Sequence, residues 1–213
     1  MLPEIVSETE WRTANDAQLE KEKAHTRAGD ALAAERRRLP MAPFPTAFDF
    51  QGPDGERSFL DLFEGRSQLL LYHFYFPEDG EPCEGCTMFS DQVPPIEHIN
   101  ARDVTFAVVA PAPQDPIAAY KQRMRWRFPW YTGTRAFQEA CGTTEYFRLQ
   151  CFLRDGENAY LTYETSSRGV EALGSVWTFL DLTPFGRQED WEDTPPGRPQ
   201  EPKYQWWRKK DEY

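Results

Sequence analysis

Two cysteines three residues apart are the strongest chemical feature of the sequence. The segment Cys83-Glu-Gly-Cys86 follows a nearly continuous apolar run at 68–76 and an acidic loop, and it lies where a helix is expected to begin. A cysteine in the first turn of a helix faces unpaired backbone N–H groups and the positive end of the helix dipole, which favour the thiolate. A second cysteine one turn later can attack a mixed disulfide formed by the first. The pattern predicts dithiol–disulfide exchange, with Cys83 as the nucleophile and Cys86 as the resolving cysteine.

Two other interpretations of the cysteine pair are open from the sequence. Cys83 and Cys86 could be small apolar fillers at a helix start, or half of a metal site. Zinc would need two more ligands, and the chain has three histidines and no second C-x-x-C or H-x-x-x-H pattern. Cys141 and Cys151 could complete an iron–sulfur site by number, but their spacing matches no ferredoxin pattern. We therefore expect no cofactor, and we expect Cys141 and Cys151 to be buried packing residues.

The overall charge and composition argue against several classes of function. The 213 residues include 24 Lys and Arg against 35 Asp and Glu, giving a formal net charge of −11. Such a surface repels the phosphate backbone of DNA or RNA, so nucleic acid is not expected as a partner. No apolar run approaches the roughly 20 residues of a membrane helix, and the N-terminus lacks the pattern of a secretory signal. We therefore expect a soluble, cytoplasmic protein whose four cysteines are reduced at rest.

Apolar segments alternate with helical patterns through the middle of the chain. Residues 68–76 and 104–110 are almost continuously apolar, as expected for strands covered on both faces. An Asp-Gly pair at 155–156 predicts the turn of a hairpin. The predicted order is strands at 48–50 and 58–62, strand 68–76, a helix at 83–101, strand 104–110, helix 115–126, strand 128–131, helix 134–141, hairpin strands at 149–153 and 159–165, and helix 168–180. This order predicts an α/β fold, a three-layer sandwich with a mixed central sheet.

The two ends of the chain differ in composition from this middle region. Ser7 and Glu10 form a capping-box pattern, and a long helix is predicted from about residue 8 to residue 38. The chain is thus divided into an N-terminal helical extension at 1–45, an α/β domain at 46–186 and a Pro/Trp-rich C-terminal arm at 187–213.

The C-terminal arm carries a high concentration of aromatic surface. Trp191, Trp206 and Trp207 are three of the seven tryptophans in the chain. So much apolar area is expected to dock, either on the core of its own chain or on a second subunit. A homodimer is the expected assembly.

Several motifs outside the cysteine pair resemble those of a known family. The order of strand, Cys83-x-x-Cys86 helix, strand, helix, hairpin and closing helix resembles the thioredoxin-like and peroxiredoxin-like folds. Almost the whole chain resembles the DUF899 family of predicted thioredoxin-like dithiol-disulfide oxidoreductases. The motifs that carry this resemblance are Glu10-Trp11, Arg36-Arg-Arg-Leu-Pro40, Arg125-Trp-Arg-Phe-Pro-Trp130, Leu180-Asp-Leu-Thr-Pro-Phe-Gly-Arg187 and Trp206-Trp-Arg-Lys-Lys-Asp-Glu-Tyr213. The resemblance implies a thioredoxin-like fold and exchange with a disulfide-containing protein, or with a small thiol or peroxide substrate.

Departures from thioredoxins and peroxiredoxins leave two other functions open. Pro82 stands where thioredoxins have a tryptophan, and no proline begins the first hairpin strand to face the pair. No threonine lies between Pro77 and Cys83, as peroxiredoxins would have, but Arg148 resembles the arginine that peroxiredoxins direct at their reactive cysteine. A thiol peroxidase and a non-catalytic binding or assembly module are therefore the alternative hypotheses. His73, inside the central strand, is expected to be a hydrogen-bonded core residue.

The charges around the pair lead to an expected redox potential. Glu78, Asp79, Glu81 and Glu84 lie within a few residues of Cys83 and are expected to raise its pKa against the lowering by the helix dipole. A poorly stabilised thiolate makes the disulfide the relatively preferred state. The sequence thus predicts a dithiol on the reducing side, with a potential toward the roughly −270 mV of thioredoxin and away from the roughly −120 mV of a strong oxidase.

Overall fold

The computed structural model describes residues 3–144 and 147–213, and they divide into two compact units. The first unit comprises the chain up to Pro40 together with Asp193–Arg198. The second comprises Met41–Glu192 and Pro199–Tyr213. Most of the C-terminal arm therefore belongs to the same unit as the sheet and the cysteine pair.

Helix α1, Glu8–Arg36, is the main element of the first unit. Its first turn is a reciprocal capping box, in which Glu10 N–H donates to Ser7 Oγ at 3.3 Å and Ser7 N–H donates to Glu10 Oε2 at 3.0 Å. The predicted start of this helix is confirmed, and its end lies two residues before the predicted one. None of its residues is buried.

The second unit is built on a mixed sheet with helices on both faces. Its strands are β1 (Ala42–Phe44), β2 (Asp49–Gly52), β3 (Gly55–Ser58), β4 (Gln68–His73), β5 (Val104–Ala110), β6 (Trp130–Gly133), β7 (Arg148–Asp155) and β8 (Asn158–Thr165). Its helices are α2 (Glu84–Ser90), α3 (Ile96–Asn100), α4 (Gln114–Met124), α5 (Arg135–Cys141) and α6 (Ser175–Asp181), with 3₁₀ helices at Phe59–Phe63 and Ser167–Leu173.

The strand order across the sheet is β1-β8-β7-β4-β5-β6-β2-β3. Strands β4, β5 and β6 are parallel, and β7 pairs with β4 in the antiparallel direction before the β7–β8 hairpin completes that side. The predicted thioredoxin-like, mixed α/β fold is confirmed. Strand β1 pairs with β8, so residues that the sequence assigned to the N-terminal extension contribute to the sheet.

Three predicted elements differ from the observed ones for local reasons. The helix expected at 168–180 is divided into the 3₁₀ helix Ser167–Leu173 and α6, because Gly174 between them has an extended backbone conformation. The helix expected at 83–101 is divided into α2 and α3, because Pro94 and Pro95 cannot continue a helix and Pro95 becomes the N-cap of α3. The strand expected at 58–62 is instead a 3₁₀ helix, which Ser58 and Asp61 begin with their own capping box.

Alternate residues of β4 enter two different hydrophobic cores. Tyr72 belongs to the cluster that packs with α2 and α4, whereas Leu71 belongs to the cluster on the opposite face, which includes Phe137 of α5. The sheet is thus covered on both faces, as the continuous apolar run predicted. In the part of the chain that the structure describes, no helix has the length and apolarity needed to cross a membrane.

Candidate active site

The cysteine pair lies at the start of α2, shortly after the carboxyl end of β4. The N–H of Cys83 donates to the carbonyl of Tyr75 at 3.1 Å, which ties the pair to the strand end. Cys83 is the N-cap residue of α2, and its Sγ accepts a hydrogen bond from the N–H of Cys86 with an N···S distance of 3.4 Å. The sulfur takes the place of the side-chain oxygen that usually caps a helix. The predicted position of the pair at a helix start is confirmed.

Cys83 is the more acidic of the two thiols. A hydrogen bond from the thiol of Cys86, together with the backbone N–H groups of Cys86 and Gly85, lowers the pKa of Cys83 to about 6. Burial and the charge of Glu84 act in the opposite direction without offsetting this effect. A thiol of this acidity is about 90% thiolate at pH 7. Cys83 therefore has the ionisation state of a nucleophile near neutral pH.

Cys86 lies in the core beneath the helix start. It is 1% exposed and belongs to the same cluster as Tyr72. Burial, followed by the hydrogen bond to Cys83 and the charge of Cys83, raises the pKa of Cys86 well above its ordinary value. Hydrogen bonds from the backbone of Tyr75 and from Tyr72 lower it only in part. The pair thus combines an ionised, partly exposed sulfur with a protonated, buried one.

The acidic loop influences Cys83 less than the sequence indicated. Glu84 does raise the pKa of Cys83, but it contributes less than the hydrogen bonds of the first helical turn. Its side chain and those of Glu78, Asp79 and Glu81 are exposed, where water and salt screen their charges. The expectation of a poorly stabilised thiolate was therefore wrong.

His73 is the hydrogen-bonded core residue that the sequence predicted. It is 4% exposed, its Nε2 lies 2.9 Å from Gln150 Oε1, and its Nδ1 lies 3.3 Å from Thr143 Oγ1. Its ring stacks on Phe137, on the face of the sheet opposite to the one that packs against Cys86. Burial lowers the pKa of His73 to about 4. This histidine is therefore neutral at pH 7 and is not placed to act on the cysteine pair.

Arg148 lies on the same face as His73. The two residues are register partners in the antiparallel β4–β7 pair, and the guanidinium forms an ion pair with Glu164 at 2.5 Å. The peroxiredoxin-like placement, in which this arginine would point at the reactive cysteine, is thus not found.

Cys141 and Cys151 belong to other elements than the pair, α5 and β7. Cys141 ends α5 and packs in the core of the His73 face, where burial raises its pKa to about 12. Cys151 is only half-buried in β7, where Leu70 of β4 is its register partner, so its predicted burial was wrong while that of Cys141 is confirmed. Among residues 3–144 and 147–213, no group of three His, Cys, Asp or Glu side chains is arranged to hold a metal ion.

A tryptophan from the C-terminal arm lies beside the cysteine pair. A Cβ placed on Gly85 would lie 2.8 Å from Cζ3 and 3.1 Å from Cε3 of Trp207, and 3.9 Å from Sγ of Cys83. The indole ring therefore rests on the backbone between the two cysteines. The sequence predicted that the tryptophans of this arm would dock, but it held no signal for where.

The pKa of Cys83 can be tested through the pH dependence of its alkylation. We expect the iodoacetamide reaction of reduced Cys83 to follow a titration near pH 6 and to level off above pH 7, because only the thiolate reacts. Cys141 serves as the internal control and should stay unmodified while the protein is folded. Site-resolved mass spectrometry measures both, and a Cys83 midpoint above pH 8 would contradict the hydrogen-bonding argument.

Comparison with solved structures shows distant likenesses. Peroxidoxin BcpB from Mycobacterium tuberculosis is 16% identical, with 63% of this chain and 95% of that chain covered and a TM-score of 0.43. A structure described as a thiol:disulfide interchange protein DsbE from Chlorobium tepidum is 16% identical, with 63% and 93% covered and a TM-score of 0.45. One described as a protein disulfide isomerase from Bacteroides thetaiotaomicron is 14% identical, with 68% and 92% covered and a TM-score of 0.43.

Comparison at the level of sequence gives a family. No curated protein matches the chain. The family model described as a bacterial protein of unknown function, DUF899, matches residues 1–213, and the chain therefore belongs to the DUF899 family.

Proposed function

We propose that this protein is a thiol-disulfide oxidoreductase in which Cys83 is the nucleophile and Cys86 the resolving cysteine. The observation that carries the proposal is the hydrogen bonding of Cys83 Sγ, which accepts from the backbone and the thiol of Cys86 at the start of α2. The same contacts place the second sulfur within reach of the first. A site of this kind provides an attacking thiolate and a second thiol that can release the covalently bound substrate.

The exchange proceeds in two balanced steps. The Cys83 thiolate attacks one sulfur of a substrate disulfide, the substrate S–S bond breaks, and the departing thiolate takes a proton from solvent. Cys86 then loses its proton and attacks Cys83 Sγ, which expels the second substrate thiolate and leaves a Cys83–Cys86 disulfide. The two enzyme cysteines are oxidised by two electrons, and the substrate disulfide is reduced to two thiols.

The acidity of Cys83 predicts a redox potential that differs from the one expected from the acidic loop. A stabilised thiolate favours the reduced form and makes the disulfide a better oxidant. The pKa of about 6 lies between the values of about 7 for thioredoxin and about 3.5 for the oxidase DsbA. We expect a potential less negative than about −270 mV and more negative than about −120 mV.

A glutathione redox titration read by thiol alkylation measures this potential and tests the function. The wild type should show one reversible two-electron transition, and Cys83→Ser should show none. Glu84→Gln should lower the pKa of Cys83 and make the potential less negative, because Glu84 opposes the thiolate. Glu81→Gln, which removes an equal charge from the exposed loop, should have the smaller effect. A potential at or below that of thioredoxin would contradict the argument from acidity.

The same titration, together with the rate of Cys83 oxidation by hydrogen peroxide, separates the alternative functions. A non-catalytic binding module would show cysteines that oxidise only after unfolding. A thiol peroxidase would oxidise Cys83 with hydrogen peroxide much faster than with any disulfide. A cytoplasmic location and a homodimer remain predictions, and sedimentation equilibrium tests the second.

A further inference from the structure

The contact between Trp207 and Gly85 places the C-terminal arm at the entrance to the cysteine pair. The ring edge and Cys83 Sγ flank the same position, the one that a Gly85 side chain would occupy. The backbone conformation of Gly85 is an ordinary helical one, so a side chain would be tolerated there if the ring were absent. Position 85 therefore requires glycine because the Trp207 ring occupies the space of a side chain, and not because of the backbone conformation of the helix.

Aromatic packing holds the indole of Trp207 in this position. Its ring centroid lies 4.4 Å from that of Tyr204 and 5.9 Å from that of Trp177, which is 2% exposed. Its Nε1 is buried and donates no hydrogen bond to any residue the structure describes. Because the ring is held by its faces and edges, another aromatic ring can take over its role.

Ionic contacts of residues 210–212, which follow Trp207, bind the end of the arm to α4 and α2. Arg123 of α4 binds Asp211 at 2.7 Å and Glu212 at 2.8 Å, and Lys210 Nζ lies 2.6 Å from Oδ1 of Asp91 at the end of α2. The arm thus runs along α2 from its first turn, beside Cys83, to its C-cap.

We propose that Trp207 is a specificity-determining residue of the dithiol site, a wall that admits small disulfides to Cys83 and excludes the disulfides of folded proteins. The proposal rests on the function proposed above. Attack requires the Cys83 sulfur and the two substrate sulfurs to come close to a line. A folded protein brings backbone to both sides of its disulfide, and the indole occupies the surface beside Cys83 that one of those sides would need. A small disulfide does not need that surface, so the indole does not obstruct its approach to Cys83.

The test compares oxidation of the reduced cysteine pair by bis(2-hydroxyethyl) disulfide, a small neutral probe, with oxidation by insulin, a protein probe. The wild type should favour the small probe. Trp207→Ala should raise the ratio of the insulin rate constant to the small-probe rate constant about tenfold or more. Trp207→Phe should stay close to the wild type because the indole N–H is not used.

A second variant disrupts the same contact by changing Gly85 instead of Trp207. Gly85→Ala keeps the indole but adds a methyl group that must displace it, so it should raise the same ratio. Combining Gly85→Ala with Trp207→Ala should give no further increase, because both changes remove one contact.

Each outcome decides between the two proposals. An unchanged ratio in both single variants, or a wild type that favours insulin, overturns the role of Trp207 while the oxidoreductase stands. A wild type that reacts with neither probe removes the proposed function and this inference with it. If Trp207→Ala does not fold, Gly85→Ala decides.

Discussion

Replacing Cys86 with serine is expected to turn transient mixed disulfides into stable adducts on Cys83. Without the resolving sulfur the second exchange step cannot occur, so the substrate half that Cys83 has captured stays bound. The serine hydroxyl can still donate to the Cys83 sulfur, which keeps Cys83 reactive. After incubation with bis(2-hydroxyethyl) disulfide at pH 7, intact mass spectrometry should show one mercaptoethanol unit on most molecules of Cys86→Ser.

Cys83→Ser is expected to form almost no such adduct. At pH 7 Cys83 is mostly thiolate, whereas burial raises the pKa of Cys86 and keeps it protonated, and the lower basicity of Cys83 cancels only part of this advantage. Cys86 is also 1% exposed, so a disulfide cannot approach it. We expect the two variants to differ at least about tenfold in adduct formation.

The control for this experiment is Cys141→Ser. Cys141 is buried in the other core, and its replacement should leave the behaviour of the pair like that of the wild type. Adducts on Cys83→Ser and none on Cys86→Ser would reverse the roles of the two cysteines. Adducts on neither variant would leave no nucleophile at the site and would contradict the oxidoreductase.

The features that the sequence predicted are those that depend on neighbouring residues. The apolar run of β4, the helix start at Cys83 and the three-residue spacing to Cys86 follow from local patterns, and together they indicate the fold and the candidate site. Local rules also explain the differences, since the Pro94–Pro95 pair that divides α2 from α3 is visible in the sequence.

The features that the sequence did not predict depend on distant residues or on exposure. Trp207 rests on Gly85 because the chain returns to the site after α6, and no periodic pattern encodes that return. The effect of the acidic loop on Cys83 is smaller than the sequence indicates, because nearness along the chain does not set electrostatic strength. Its carboxylates point into solvent, whereas two backbone N–H groups and one thiol contact the Cys83 sulfur directly.

Glu189 ties two segments of the C-terminal arm to each other. It is 1% exposed, and its carboxylate accepts hydrogen bonds from Trp206 Nε1 at 2.8 Å, from Tyr204 N–H at 3.0 Å and from Trp191 Nε1 at 2.5 Å. A buried carboxylate is stable only when donors satisfy it, and here three donors from two chain segments converge on it. Glu189 thus joins the beginning of the arm, around Trp191, to the segment that carries Tyr204 and Trp206.

We expect Glu189→Gln to destabilise the protein despite its unchanged size. With its oxygen facing Trp206 and Tyr204, the amide would turn its NH₂ group toward the N–H of Trp191, so that two donors would meet and one hydrogen bond would be lost. The remaining bonds would lose their charge. The cost is about 2–3 kcal/mol in the free energy of unfolding, or a fall of about 5–10 °C in melting temperature.

Thermal unfolding beside the charge-matched control Glu201→Gln measures this effect. Glu201 is exposed on the same part of the arm, so its replacement should shift the melting temperature by less than about 2 °C. Because Glu189 holds the segment that carries Trp207, Glu189→Gln should also raise the insulin to small-disulfide ratio, whereas Glu201→Gln should not. Equal melting temperatures for the two variants would mean that the arm is held without the Glu189 carboxylate. A large fall in melting temperature with an unchanged ratio would mean that Trp207 keeps its place on Gly85 through the packing of Tyr204 and Trp177 alone.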